Sequence, residues 1–117
     1  MNIRAQFFLT QRVVEAMLGT GGGTICNLTS IHGLQGAPEH SLYAGTKGAI
    51  IAYPRALAVE LAYRGIRVSA IAPGWVTVEN YYKSWAGFTD EIARQTAHEK
   101  IPAARPGALI DVAKWGP

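Results

Sequence analysis

From residue 2 to 18 apolar positions recur at mixed three- and four-residue spacing, at Ile3, Phe7, Phe8, Val14 and Met17. That pattern predicts a well-buried helix, and Gly19 to Gly23 would stop it. The run Thr24-Ile25-Cys26-Asn27-Leu28-Thr29-Ser30 is apolar and β-branched, which reads as a buried strand handing over to a loop near Gly33. A polar stretch through Pro38 and Glu39 leads into a helix over 41–64. Ala49, Ile50, Tyr53, Leu57 and Leu61 form its apolar side, with Gly65 placed for a left-handed cap. Pro54 conflicts with that helix, because it removes the bond to the Ile50 carbonyl and costs roughly 3 kcal/mol unless the helix kinks. Ile66 to Ala72 predicts a second buried strand, ended by Pro73-Gly74. Residues 77–100 read as short helices carrying Tyr81, Tyr82, Trp85 and Phe88. A further helix is expected to start over Leu109 to Trp115.

Strand, helix, strand in this order implies an α/β fold with a parallel pair and a right-handed crossover. Ser30 and Pro73-Gly74 then emerge at the carboxyl ends of neighbouring strands, the rim where open α/β sheets bind ligands. The glycine run at 19–23 precedes its strand. A dinucleotide loop must follow a strand and open a helix, so Gly19 to Gly23 is expected to be a helix-to-strand turn.

Composition narrows the function more than the fold. The 117 residues bound one domain, short for a doubly wound sheet. The net charge is +3, but Arg4, Arg12, Arg55, Arg64, Arg67, Lys83, Arg94, Lys100 and Arg105 are scattered. Nucleic-acid binding is not expected, since it calls for a basic patch or stripe. Cys26 is the only cysteine, which excludes an internal disulfide and makes it a small core residue. No apolar run reaches membrane-span length and no leader pattern opens the chain, so a cytoplasmic, non-membrane protein is expected. His32, His40 and His98 lack metal-ligand spacing and should be solvated; no metal site is expected. Asp90, Glu91 and Glu99 read as a polar helix face.

The chemistry is concentrated around the first strand's end. Tyr43 and Lys47 are four apart and share one helix face, and Ser30 stands thirteen residues before Tyr43. A phenol titrates at about 10, so acid/base work at neutral pH needs a neighbouring positive charge. Lys47 would supply it.

The order Ser30, Tyr43-x-x-x-Lys47 resembles the catalytic core of the short-chain dehydrogenase/reductases, in particular 3-oxoacyl-carrier-protein reductases and glucose dehydrogenases. Asn2-Ile3-Arg4-Ala5 is similar to that family's catalytic-asparagine helix. Gly65-Ile66-Arg67-Val68 and Ala72-Pro73-Gly74-Trp75-Val76 are similar to its next strand and Pro-Gly turn. The resemblance implies a partial Rossmann-type three-layer α/β/α fold, with 1–117 a single partial domain comprising the catalytic and substrate-lid portion. It runs from the asparagine helix to just short of the final strand; the glycine fingerprint and the residues that choose between NAD and NADP belong to the part before it.

By the same resemblance, Ser30 holds the substrate oxygen and Tyr43 is the general acid/base. Lys47 also binds the nicotinamide ribose, and Asn2 relays protons to Lys47 through water. Pro73, Gly74, Val76 and Thr77 would line the nicotinamide pocket. The implied function is NAD- or NADP-dependent interconversion of a small-molecule secondary alcohol and ketone by a homo-oligomer. The sequence departs from the family at Ser69, where asparagine is usual, at Val78, where threonine is usual, and at Pro54. An alternative is a non-catalytic fragment acting through association, on the helices at 2–18 and 41–64 that pair in family dimers.

Overall fold

A computed structural model describes residues 2–114. It contains two compact units, the first ending at Pro73 and the second beginning at Gly74. The first unit opens with helix α1, Asn2–Thr20, two residues longer than its periodicity predicts. Strand β1, Gly23–Leu28, follows, then a single 3-10 turn at Ile31–Gly33, helix α2, Ser41–Leu61, and strand β2, Ile66–Ile71. A short 3-10 turn, Ala62–Arg64, links α2 to β2, and Gly65 ends it at φ 74°. This is the left-handed cap expected of that glycine.

Strands β1 and β2 pair in parallel, from Gly23 against Ile66 to Leu28 against Ile71, as the strand-helix-strand order requires. Among the described residues the sheet has these two strands. Gly22 sits at φ 125°, and a Cβ there would come within 2.5 Å of the Gly65 carbonyl oxygen. The glycine run is thus a turn whose backbone must approach the other crossover closely.

Three burial expectations are corrected. Helix α1 is not well buried: Phe7, Phe8 and Leu9 are exposed, although Phe7 still meets the Tyr53 ring of α2 at 5.7 Å between centroids. Cys26 and most of β1 are only half-buried, and in β2 Ile66 alone is fully enclosed. A two-stranded sheet has two outer edges, and α1 and α2 cannot cover all of its surface. The core of this unit is built from Ile50, Leu61, Ile66 and Pro54. Pro54 lies inside α2, which runs on through it, and its ring is fully buried, so packing offsets part of the missing hydrogen bond.

The second unit holds α3, Glu79–Ser84, α4, Asp90–Lys100, and α5, Leu109–Ala113; Trp115, expected in the last helix, lies outside the described residues. Helix α4 starts with Thr89 accepting a hydrogen bond from the Ile92 N–H at 3.3 Å, a side-chain N-cap. Phe88, 7% exposed, gathers the rings of Trp75, Tyr81, Tyr82 and Trp85 at 5.1 to 6.5 Å between centroids. An isolated parallel bridge joins Val76 to Gly107, a pairing that local pattern does not announce.

Candidate active site

The first strand ends before its hydroxyl residues, and the pairing carries on past it. The Thr29 N–H donates to Ile71 O at 2.9 Å, and the Ile31 N–H donates to Pro73 O at 3.0 Å. These bonds hold Ser30 beside the carboxyl end of β2. Ser30 is 7% exposed, and its Oγ accepts the His32 N–H at 3.2 Å as the N-cap of the 3-10 turn.

Two contacts fasten this end to helix α2. The Thr29 hydroxyl donates to the Lys47 carbonyl at 2.7 Å. At Gly33 a Cβ would lie 2.7 Å from the Lys47 carbonyl carbon and 2.8 Å from its oxygen, so only glycine lets the turn pack this close. Thr29 and Gly33 set the spacing between the serine and the helix that carries Tyr43 and Lys47. Single-residue reading missed both, and the one available signal was a small residue three positions after Ser30.

On α2 the Lys47 Nζ lies 5.5 Å from the centroid of the Tyr43 ring, within cation–π range. Tyr43 is 41% exposed, so its phenol is open to a small molecule. His32 and His40 stand edge-on to the same ring, at 6.1 and 6.2 Å between centroids. The expectation that both are solvated is corrected for His32. The 3-10 turn holds it half-buried, and its Nδ1 is enclosed without a hydrogen-bond partner among the described residues. His98 is exposed as expected.

The first unit therefore brings Ser30, Tyr43, Lys47 and Pro73 to one end of the strand pair. Asn2 begins α1, but its side chain lies outside what is described. Gly74, Val76 and Thr77 fall in the second unit. There the Thr77 N–H donates to Gly107 O at 3.0 Å, and the Gly107 N–H donates to Trp75 O at 2.9 Å. Thr77 Oγ1 is buried with no partner among the described residues. Those residues contain no group of His, Cys, Asp and Glu able to hold a metal, and no helix long and apolar enough to cross a membrane.

A parallel strand pair joined by a helical crossover is a piece of a Rossmann-type α/β fold. The chain belongs to the short-chain dehydrogenase family, whose model matches residues 1–87. It is 37% identical to a 3-oxoacyl-acyl-carrier-protein reductase of Thermotoga maritima over 114 residues, covering 97% of this chain and 44% of that protein. Among solved structures it is similar to ElxO with NADP bound, at 34% identity and a TM-score of 0.85, covering 97% of this chain and 45% of that one. It is also similar to a 7α-hydroxysteroid dehydrogenase complexed with NADH, at 31% identity and a TM-score of 0.84, covering 97% and 43%. The family is one of NAD(P)-dependent oxidoreductases, and the partial Rossmann fold expected from the motifs is borne out. The chain spans less than half the length of these relatives.

Proposed function

We propose that residues 1–117 form the catalytic and lid portion of one NAD(P)-dependent oxidoreductase domain that interconverts a secondary alcohol and a ketone. The observation that carries this reading is the Lys47 ammonium 5.5 Å from the Tyr43 ring, on a helix tied through Thr29 to the strand end that bears Ser30. Ser30 hydrogen-bonds the carbonyl oxygen and orients it. Tyr43 gives that oxygen its proton on reduction and takes it back on oxidation, with the Lys47 ammonium beside its ring.

The chain's residues fit the nicotinamide end of the cofactor. Lys47 has three donors for ribose hydroxyls. Thr77 offers a buried hydroxyl with no partner among the described residues, suited to a polar group of the cofactor, and Gly74 has no side chain to block close approach. The bound cofactor supplies or accepts the hydride; this chain's residues position the carbonyl and move the proton. In this reading Val76 stands next to Thr77 on the second unit's cofactor-facing stretch, and Asn2 relays protons to Lys47.

The test is a chimera in which this chain replaces the matching stretch of the Thermotoga reductase, so that the scaffold supplies the cofactor's phosphate site. Tyr43→Phe should abolish ketone-dependent NADPH oxidation while changing NADPH affinity less than twofold. Retained turnover would remove Tyr43 from the mechanism.

A second reading, association, is favoured by one observation. Helices α1 and α2 expose Phe8, Leu9, Leu42 and Val59, and the 3-10 turn after α2 exposes Tyr63, apolar surface that a partner chain could cover. Homo-oligomerisation through these helices is compatible with the enzymatic reading. Sedimentation separates the two, since a chimera that self-associates but turns over no ketone supports association alone.

A further inference from the structure

The rings of His32 and His40 stack at 5.2 Å between centroids with 25° between their planes, and both stand edge-on to Tyr43. Their hydrogen bonding assigns them opposite tautomers. His40 Nδ1 lies 2.6 Å from the Pro38 carbonyl oxygen. A carbonyl only accepts, so this nitrogen carries the proton and the His40 Nε2 is left as an acceptor. In His32 the enclosed nitrogen is Nδ1, without a partner among the described residues. Burying a bare N–H is the rarer and costlier arrangement, whereas an unpaired acceptor is better tolerated. The proton of a neutral His32 therefore sits on Nε2, which becomes a donor.

We propose that this stacked pair is a specificity element: one ring offers a donor, its neighbour an acceptor, and together they recognise a hydroxyl group near the substrate carbonyl. A hydroxyl is the small group that both gives and takes one hydrogen bond, whereas a methylene can satisfy neither ring. The position is right for it. The His32 backbone N–H donates to the Ser30 Oγ, and each ring is within 6.2 Å of the Tyr43 ring, centroid to centroid. A substrate whose carbonyl is held by Ser30 and Tyr43 brings its neighbouring carbons to the imidazoles. The substrate class is thus a hydroxyketone and its reduced diol, an assignment that rests on the oxidoreductase reading above.

Hydroxyacetone and 2-butanone test it, because they differ only in a hydroxyl replacing a methyl. In the chimera, kcat/KM with NADPH should favour hydroxyacetone at least tenfold. His32→Phe keeps a flat ring but no donor, and should bring the ratio to within about twofold of one. His32→Gln, which restores a donor, should recover part of it. Equal kcat/KM values in the unsubstituted chimera, or an undiminished preference in His32→Phe, would overturn the proposal. A purely structural role for the stack predicts the same loss for both ketones and no recovery with glutamine.

Failure of the parent reading looks different, for neither ketone would then be turned over. In that case imidazole 15N spectra of the NADPH-loaded chimera decide. They should show the proton on Nε2 of His32 and on Nδ1 of His40, with both signals moved by hydroxyacetone and not by 2-butanone. Matching tautomers, or no hydroxyacetone-specific shift, would overturn the assignment independently of catalysis.

Discussion

Gly33 and Thr29 do for the site what the motif residues cannot do for themselves. Ser30, Tyr43 and Lys47 are legible in the sequence because two of them share a helix face and the third follows closely on a strand, two residues past its end. The distance from strand end to helix is set elsewhere, by the bond from Thr29 to the Lys47 carbonyl and the bare Cα of Gly33. Both are tertiary contacts, with no local periodicity to betray them. Gly33→Ala should therefore lower stability by about 1–3 kcal/mol, the range for overpacking, and reduce kcat/KM of the chimera more than NADPH affinity. A urea melt and a KM-against-kcat comparison check this; an alanine variant of unchanged stability would mean that the contact relaxes freely. The His32–His40 stack was equally hidden, since two loop histidines eight apart show no spacing that implies a stacked pair.

At the scale of elements, helix positions were more readable than their surroundings. The start of α2, its apolar side and its Gly65 cap follow from pattern alone, although the helix gives way to a 3-10 turn at 62–64 rather than running to 64; the exposure of α1 and of both strands depends on which elements cover them. Pro54 shows a local rule overridden by packing, because its fully buried ring offsets part of the roughly 3 kcal/mol that an interior proline costs a helix. Pro54→Ala in the chimera is expected to raise the urea midpoint, since the regained backbone bond outweighs the small volume lost. A lowered midpoint would show that the ring's packing is worth more than the bond.

The turn into α5 gives a pH test. Arg105 donates to Asp111 Oδ2 at 2.8 Å, and the Ala108 N–H donates to the same oxygen at 2.9 Å. The Arg105 bond first, then the Ala108 bond, hold the Asp111 carboxyl below its usual value. A depressed carboxylate contributes where it is ionised, above its ordinary value of about 4. That contribution is lost as pH falls through and below this value. The Ala108 amide resonance should hold its position from neutral pH to about 5 and move on further acidification, and in Asp111→Asn it should not show this acid step.

For the whole molecule, a two-stranded parallel sheet has backbone donors and acceptors along both outer edges, and such edges invite pairing with other chains. Two strands are also too few for independent stability. The 117-residue chain by itself is accordingly expected to keep helical circular dichroism, bind an apolar dye and melt without a sharp transition. It is also expected to show no saturable NADH or NADPH binding in fluorescence titration, because no dinucleotide glycine fingerprint opening a helix after a strand occurs among its described residues. A cooperative melt would show that the edges are closed in solution, and micromolar cofactor binding would place the affinity within this chain.

The parallel register also sets a timetable for synthesis. Thr24 and its partner Arg67 are 43 residues apart, so β1 meets this parallel partner only after the whole of α2 and β2 has followed it off the ribosome. At about 5–20 residues per second, that interval lasts roughly 2–9 s. Throughout it that strand edge stands open beside the exposed apolar residues of α1. Synonymous codons that slow translation across α2 should lengthen that interval and lower the soluble yield without changing a single residue.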